Sequence, residues 1–246
     1  MKLISINAEH SNHFSKTMPF LTTEMADVVC VQECTQPIQN ALEDLGYHTH
    51  FGTTVLHDKD GKVVPAGNLF ASLIPAVVYT QYYYEPAEEL TAFDPSRVRE
   101  SFKQGLINAT LVIDGTEYTI ITTHFTWTLD GSAPSKNQKD DLDALLKYTE
   151  KLPEHILVGD FNIPRLHNPL YKKLTDVYTD QIPKEFKSSL DKDLHRVGND
   201  PEKSILFTDY MVDYLFTKGT YTAPHVELIF GVSDHAAIVA TIHKEN

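Results

Sequence analysis

Two residues set a reading of this chain in motion. In Ile156–Pro164 a short apolar run, Ile156 to Val158, stops at Gly159 and delivers Asp160 and Asn162 into a loop. A buried run bounded by Gly and Pro holds polar groups at the end of a rigid sheet. Side chains two apart in extended geometry point the same way. A carboxylate beside a neutral amide suits a reaction in which one group handles a proton and the other touches an anion. The plain alternative is a loop cap in which both bond their own backbone. The same placement recurs along the chain. Asn7, Glu33, His124, Asp213 and Ser233-Asp234-His235 each follow or close an apolar run. Taken singly, Glu33 reads as a solvated strand tip, His124 as a satisfied partly buried histidine and Asp234-His235 as a turn. Together they are types suited to metal and phosphate chemistry, which needs a base for water, positive charge on the phosphoryl oxygens and help for the leaving group.

The elements that must position these groups can be read in order. Lys2–Ile6 predicts a first strand, and residues 19–26 a short helix from Pro19 to Ala26. Asp27–Glu33 predicts a buried strand ending on a carboxylate. A helix follows, with Pro37 in its first turn, Ile38, Leu42 and Leu45 at helical spacing and Gly46 as its stop. Residues 47–51 predict an edge strand and Asp58–Gly61 a turn. Residues 67–74 and 77–84 predict a strand pair broken at Pro75, and residues 85–99 a polar loop. Residues 105–113 and 117–123 straddle Asp114-Gly115, a hairpin signal. Helical spacing runs through residues 135–152, and a shorter capped helix through 168–174. Residues 180–203 read as a long polar surface loop, and 211–216 and 236–242 as two closing strands. The sum is about ten strands, several in hairpins, with helices between: sheets packed on each other and flanked by helices.

The chain has 246 residues, 41% of them hydrophobic, and no linker, repeat or low-complexity block divides it, so a single domain over residues 1–246 is expected. Its opening lacks the features of a signal peptide, and no apolar run approaches the roughly 18–20 residues of a membrane span. Cys30 and Cys34 read as reduced residues in or near the core. These features predict a cytoplasmic protein, with a monomer favoured. The formal net charge of −13 argues against broad charge-driven binding to nucleic acid. It leaves room for a hard divalent cation held by clustered carboxylates.

In their order along the chain, Ser5-Ile6-Asn7, Val31-Gln32-Glu33, Thr122-Thr123-His124, Gly159-Asp160-Phe161-Asn162, Val212-Asp213-Tyr214 and Ser233-Asp234-His235 resemble the endonuclease/exonuclease/phosphatase superfamily. This is the fold of pancreatic-type deoxyribonuclease, apurinic endonucleases and inositol polyphosphate phosphatases. The resemblance spans residues 5 to 235. It implies an α/β four-layer sandwich, two packed mixed β-sheets with helices outside, and a metal-dependent phosphoesterase. It also implies roles. Glu33 is the main metal ligand, with Asn7 and Asp234 in the shell of a Mg2+ ion, Mn2+ being the other candidate. Asp160 activates the attacking water, and Asn162 holds a phosphate oxygen. His235 contacts the scissile phosphate, and Asp213 fixes its ring. His124 is a second phosphate-side histidine or the leaving-group acid.

Departures leave the substrate open. Ile6-Asn7 stands where the DNA-repair branch has Trp-Asn, and Glu9 where it has Asp. Met211 replaces a usual Arg, and Ala236-Ala237 follows His235 without the frequent proline. The inositol phosphatase signature of Asp-Arg near a Cys is also missing. Arg97, Arg99 and Arg165 are candidates for a second phosphate, and Tyr82-Tyr83-Tyr84 for base stacking, each with a plain surface or strand reading beside it. The 12 histidines show no further metal spacing. The acidic surface favours a small phosphoester over the alternative, an endo- or exonuclease on DNA or RNA. A catalytically silent member serving as a binding module is the alternative of another class.

Overall fold

The computed structural model describes residues 1–59, 61–86, 89–128, 133–152 and 154–245. It has twelve strands in two six-stranded mixed sheets. In chain order the elements are β1 (Lys2–Asn7), α1 (Phe14–Glu24), β2 (Val28–Thr35), α2 (Gln36–Asp44), β3 (His48–Lys59), β4 (Lys62–Ser72) and β5 (Val78–Tyr83). Then come α3 (Val98–Ser101), β6 (Gly105–Ile113), β7 (Thr116–His124), α4 (Lys136–Thr149), β8 (His155–Asp160) and α5 (Leu170–Thr175). The chain closes with β9 (Thr179–Asp180), α6 (Leu206–Asp209), β10 (Asp213–Lys218), β11 (Tyr221–Ile229) and β12 (Ala237–Lys244). The first sheet runs β11-β12-β1-β2-β4-β3 and the second β5-β6-β7-β8-β10-β9.

Period-2 alternation divides the apolar residues of the first sheet between two layers. Leu3, Val28, Cys30 and Phe70 join one buried set with the strands of the second sheet, whereas Ile4, Ile6, Val29 and Val31 pack with Met18, Leu21, Ile38 and Leu42 of α1 and α2. Leu142 and Leu145 of α4 and Leu170 and Leu174 of α5 pack with the second sheet. Helices therefore lie outside two sheets that share a core, the expected four layers.

Each sheet contains one parallel pair. β1 pairs with β2, with Asn7 level with Gln32, and β7 pairs with β8, with His124 level with Asp160. A helix makes each crossover, α1 in the first sheet and α4 in the second. The carboxyl ends of these pairs come together at one end of the sandwich, where open α/β sheets carry their ligands.

The structure corrects four local expectations. Residues 67–74 and 77–84 do not pair: β4 lies in the first sheet and β5 on the edge of the second, because the break at Pro75 is where the chain crosses between sheets. Helix α1 starts at Phe14 and carries Pro19 inside it. Strand β11, absent from the expected tally, pairs along β12 with a bulge between Thr222 and His225 that breaks its alternation. The segment 180–203 is not merely a surface loop, since Ser188, Ser189, Leu190 and Asp191 are buried. The expected turn at Asp58–Gly61 includes residue 60, outside the described residues. Among the described residues no helix is long and apolar enough to cross a membrane. Cys30 and Cys34 are free and buried, and burial pushes the Cys30 thiol up to about 12.

Candidate active site

Glu33 reaches the site through a local distortion. The β2–β4 register slips between Val31 and Cys34, and Glu33 takes a left-handed backbone at φ 51°. A bulge re-aims a side chain that plain alternation would bury. Glu9, His10 and Asn162 also have left-handed backbones, at φ 41°, 64° and 52°. Residues with a Cβ adopt this region at a cost and concentrate at functional sites.

Asn7 ties the two sheets together. Its Nδ2 donates to Glu33 Oε1 at 3.3 Å and to Asp160 Oδ2 at 3.1 Å. A second tie lies beneath it, where Gln32 Nε2 donates to the Thr122 hydroxyl at 3.0 Å. His124 Nε2 stands 3.6 Å from Asp160 Oδ2 and 3.8 Å from Glu33 Oε1. On its other side Asp160 is level with Asp213 of β10. Asp213 Oδ2 lies 2.8 Å from His235 Nδ1. Asp160, Asp213 and His235 bring one ligand atom each within 4.8 Å of one another. Asn7, Glu33, His124, Asp160, Asp213 and His235 thus form one connected set, drawn from both sheets.

Asn162 closes the loop that follows Asp160. Its backbone N–H donates to Asp160 Oδ1 at 2.9 Å, and its Nδ2 donates to the Phe125 carbonyl at 3.0 Å. A side-chain amide has two N–H groups, so one donor remains beyond the cap. The loop cap is thus present, and the anion-holding role belongs to the proposal below.

The electrostatics follow from burial and neighbours. Burial opposes ionisation of Glu33, yet His124, His10, the Asn7 amide and His235 outweigh it and hold the carboxyl below its ordinary value. Burial and the Asp213 charge push Asp160 up, against His235, His124 and the Asn162 N–H. Asp234 is pushed up to about 6 by burial, opposed by His235 and reinforced by Glu9 and Glu33. Burial works against a charged His235, but Asp213, Asp160 and Asp234 prevail and hold the ring well above the ordinary imidazole range. The site thus combines an imidazolium with a carboxylate whose basicity is raised, the two protonation states that acid–base chemistry on one substrate requires.

Sequence reasoning missed three parts. His10 Nδ1 lies 3.2 Å from Glu33 Oε2 and its Nε2 is 2.9 Å from His57 Nε2. His13 Nε2 lies 2.9 Å from Glu9 Oε2; the i, i+4 spacing of Glu9 and His13 was the available signal. The segment 188–195 forms a wall. Ser189 Oγ accepts from the Val212 and Asp213 N–H groups, Leu190 bridges to His235 in antiparallel fashion, and the Asp191 N–H donates to the Asp234 carbonyl at 2.7 Å.

The arginine candidates stand differently. Arg99 forms a two-pronged pair with Asp141, both bonds 2.6 Å, and also meets Glu85. Arg165 pairs with Asp180 at 3.1 Å and lies over the Tyr171 and Tyr214 rings. Arg97 meets Asp94 at the surface. In the tyrosine run, Tyr84 is buried and bonded to the Thr123 hydroxyl, and Tyr82 packs on Tyr148.

Glu9 and Asp234 bring carboxylate oxygens, with a His13 nitrogen, within 4.8 Å of one another, and the Glu33 charge acts on Asp234, a set whose chemistry fits a divalent cation. Asp234, though buried, receives one hydrogen bond among the described residues, from the Ser233 hydroxyl at 3.2 Å. The sequence profile described as the Endonuclease/Exonuclease/phosphatase family matches residues 4–235, spanning every site residue named above. The chain belongs to this family. As an endonuclease/exonuclease/phosphatase family member it is a metal-dependent phosphoesterase, a hydrolase of phosphoester bonds. No curated protein matches the sequence significantly. Solved structures share the family fold. A family member from Beutenbergia cavernae DSM 12333 has a TM-score of 0.75 at 18% identity, covering 100% of this chain and 72% of its own. One from Leptotrichia buccalis has 0.71 at 19% identity, covering 99% of both chains. D. rerio TDP2, solved with a single strand DNA product, has 0.72 at 15% identity, covering 99% of both.

Proposed function

We propose that this phosphoesterase hydrolyses a phosphodiester or phosphomonoester by in-line attack of water, with a small phosphoester as its substrate. The observation that carries the reading is the convergence of Asp160, His235 and Glu33 from two sheets into one connected set, joined through Asn7 and Asp213. Asp160 accepts the proton of the attacking water, and its raised basicity brings it closer to neutral pH than an ordinary aspartate. His235, held as imidazolium by Asp213, donates to the phosphoryl oxygens as charge builds on them. The spare Asn162 N–H holds a further oxygen. His124 stands beside both carboxylates and serves the phosphate or the leaving group. Glu33, Asn7 and Asp234 would hold Mg2+. The bound ion supplies positive charge to the phosphoryl oxygens.

Two observations support a small substrate. The chain carries a net charge of −13, and the Arg99 and Arg165 guanidinium groups are matched by carboxylates of the scaffold, so we assign both to stability. The nuclease reading draws on one feature: Trp127, three residues past His124, is 53% exposed and has a face on which a base could stack. We also read residues 1–246 as one domain, a monomer of the cytoplasm, where the two buried free thiols fit a reducing compartment.

The test is hydrolysis of bis-p-nitrophenyl phosphate, p-nitrophenyl phosphate and plasmid DNA with Mg2+, Mn2+ or EDTA, beside Asp160→Ala. Metal-dependent cleavage of the small esters, abolished in the variant, is the expected result. Cleavage of DNA alone, weakening steeply with salt, would move the protein to the nucleases. No cleavage by a chain that still binds metal would make it a silent binding module.

A further inference from the structure

We infer that Gln138 is a positioning residue for the hydrolysis. From the first turn of α4 its amide fastens together the two loops that follow His124 and Asp160, and so sets where Asn162 meets the phosphate. The inference rests on the phosphoesterase reading above for the role of Asn162.

Gln138 is completely buried, at 0% exposure. Its Nε2 donates to the Thr126 carbonyl at 2.9 Å and to the Asn162 carbonyl at 3.0 Å. Its Oε1 accepts from Asn168 Nδ2 at 3.0 Å. A side-chain amide has two N–H groups, so both are committed to the two loops. The orientation is fixed as well. Asn168 Oδ1 accepts from the Leu170 N–H at 3.0 Å, which leaves Nδ2 for Gln138. A reversed Gln138 amide would set its oxygen against two carbonyls and strand all of them without donors, a costly arrangement in a dry interior.

The two carbonyls occupy equivalent places. β7 and β8 run parallel with His124 level with Asp160, and Thr126 and Asn162 are each the second residue beyond. One amide therefore sets the spacing of both loops just past the reacting groups. Its own seat is anchored. The Gln138 N–H donates to the Ser135 hydroxyl at 3.0 Å, capping α4, and Asp141, three residues on along the same helix face, accepts from the Thr126 hydroxyl.

Asn162 needs such a hold. Its backbone is left-handed, at φ 52°, a conformation that persists in a residue with a Cβ only where the surroundings fix it. Its bonds to Asp160 Oδ1 and the Phe125 carbonyl lie within the two loops themselves. Gln138 adds a bond from outside them, and without it both loops can shift together. A misplacement of about 1 Å is enough to cost a rate roughly 10²-fold.

The experiment follows bis-p-nitrophenyl phosphate hydrolysis with Mg2+ by Gln138→Met, Asn162→Ala and the double variant, beside Leu145→Ala. Leu145 is buried on the same helix, so Leu145→Ala measures what loosening α4 does alone. Gln138→Met should lower kcat roughly 10- to 10²-fold with KM within about threefold of wild type. In the Asn162→Ala background it should cost no more than about twofold further, and Leu145→Ala should stay within about twofold of wild type. Asn168→Asp keeps the cap on Leu170 but presents an acceptor to Gln138 Oε1, which pulls the amide round. It should show the same split in kcat and KM, and it decides the matter if Gln138→Met does not fold. An unchanged kcat, an undiminished loss in the Asn162→Ala background, or an equal loss in Leu145→Ala overturns the inference. Amide exchange of the Asn162 N–H, followed by NMR, needs no turnover and should be roughly tenfold faster in Gln138→Met than in wild type and Leu145→Ala. Wild type that cleaves no ester while this exchange quickens refutes the phosphoesterase reading alone. Unchanged exchange in an active enzyme refutes the role of Gln138 alone.

Discussion

Asp213→Asn removes one charge and almost no volume from the centre of the site, and its effect can be worked from the geometry. Opposite charges 2.8 Å apart attract by about 6 kcal/mol at an effective dielectric of about 20. Both side chains are shielded, at 3% and 11% exposure, so desolvation offsets part of this. Breaking such a pair costs roughly 3–5 kcal/mol. If that attraction holds the imidazolium during reaction, kcat/KM at pH 8 should fall by roughly 10²- to 10⁴-fold. The pH profile is the sharper readout. On the proposed mechanism, the acid limb in wild type is expected to mark ionisation of Asp160 and the alkaline limb deprotonation of His235. Without Asp213, His235 loses the main group raising it, and Asp160 loses the anion beside it. Both limbs therefore move to lower pH together. Stability follows with a definite sign. A histidine raised in the fold contributes stability below its unfolded pKa and loses it as pH rises through the folded value. The variant should thus be most destabilised relative to wild type in the acid range, below about pH 6.5. The assays are pH–rate profiles with saturating metal and thermal midpoints from pH 5 to 9. An unchanged alkaline limb would refute the pairing argument, whatever happened to the rate.

Asp160→Asn should lose roughly 10²- to 10⁴-fold in rate yet melt higher at pH 8. A carboxyl raised in the fold costs stability once pH exceeds its folded value, and each kcal/mol relieved adds about 2–4 °C for a chain of this size; a lower midpoint in differential scanning calorimetry would contradict this. Gly159→Ala would set a Cβ 2.0 Å from the Thr123 carbonyl oxygen at a backbone φ of 142°. It should cost roughly 3 kcal/mol or more, seen as a lowered urea midpoint, and part His124 from Asp160. Arg99→Ala should destabilise by roughly 3 kcal/mol, because Asp141, 1% exposed, loses its partner. Its KM for ester substrates should stay within twofold of wild type, and a tenfold rise would return Arg99 to the substrate site.

The site was legible in the sequence where local pattern and chemistry coincide. Asp160, Glu33 and Asp213 each sit where an apolar run meets a polar residue, and strand ends are what such a pattern marks. The parts that escaped depend on contacts between distant segments. Nothing local to Ser189 says that its hydroxyl receives the N–H groups of Val212 and Asp213, where β10 begins, and a polar stretch such as 180–203 carries no periodicity. Residues 67–84 show why alternation is blind to topology: it marks two strands, but not that they belong to different sheets. The charges of Arg99 and Arg165 are visible in sequence, while their partners, Asp141 and Asp180, come from elsewhere in the chain.

Strand order also bears on how the chain is made. The second sheet is one continuous stretch, β5 to β10, whereas the first is built from β1 to β4 together with β11 and β12. β1 lies between β2 and β12, so during synthesis from the N-terminus one edge of it stays unpaired until residues beyond 236 leave the ribosome. Asp234 and His235 emerge just ahead of that closing strand. Glu33 and Asp160 thus emerge well before Asp234 and His235, and the connected set around Asn7 stays incomplete until the sheet that supports it can close.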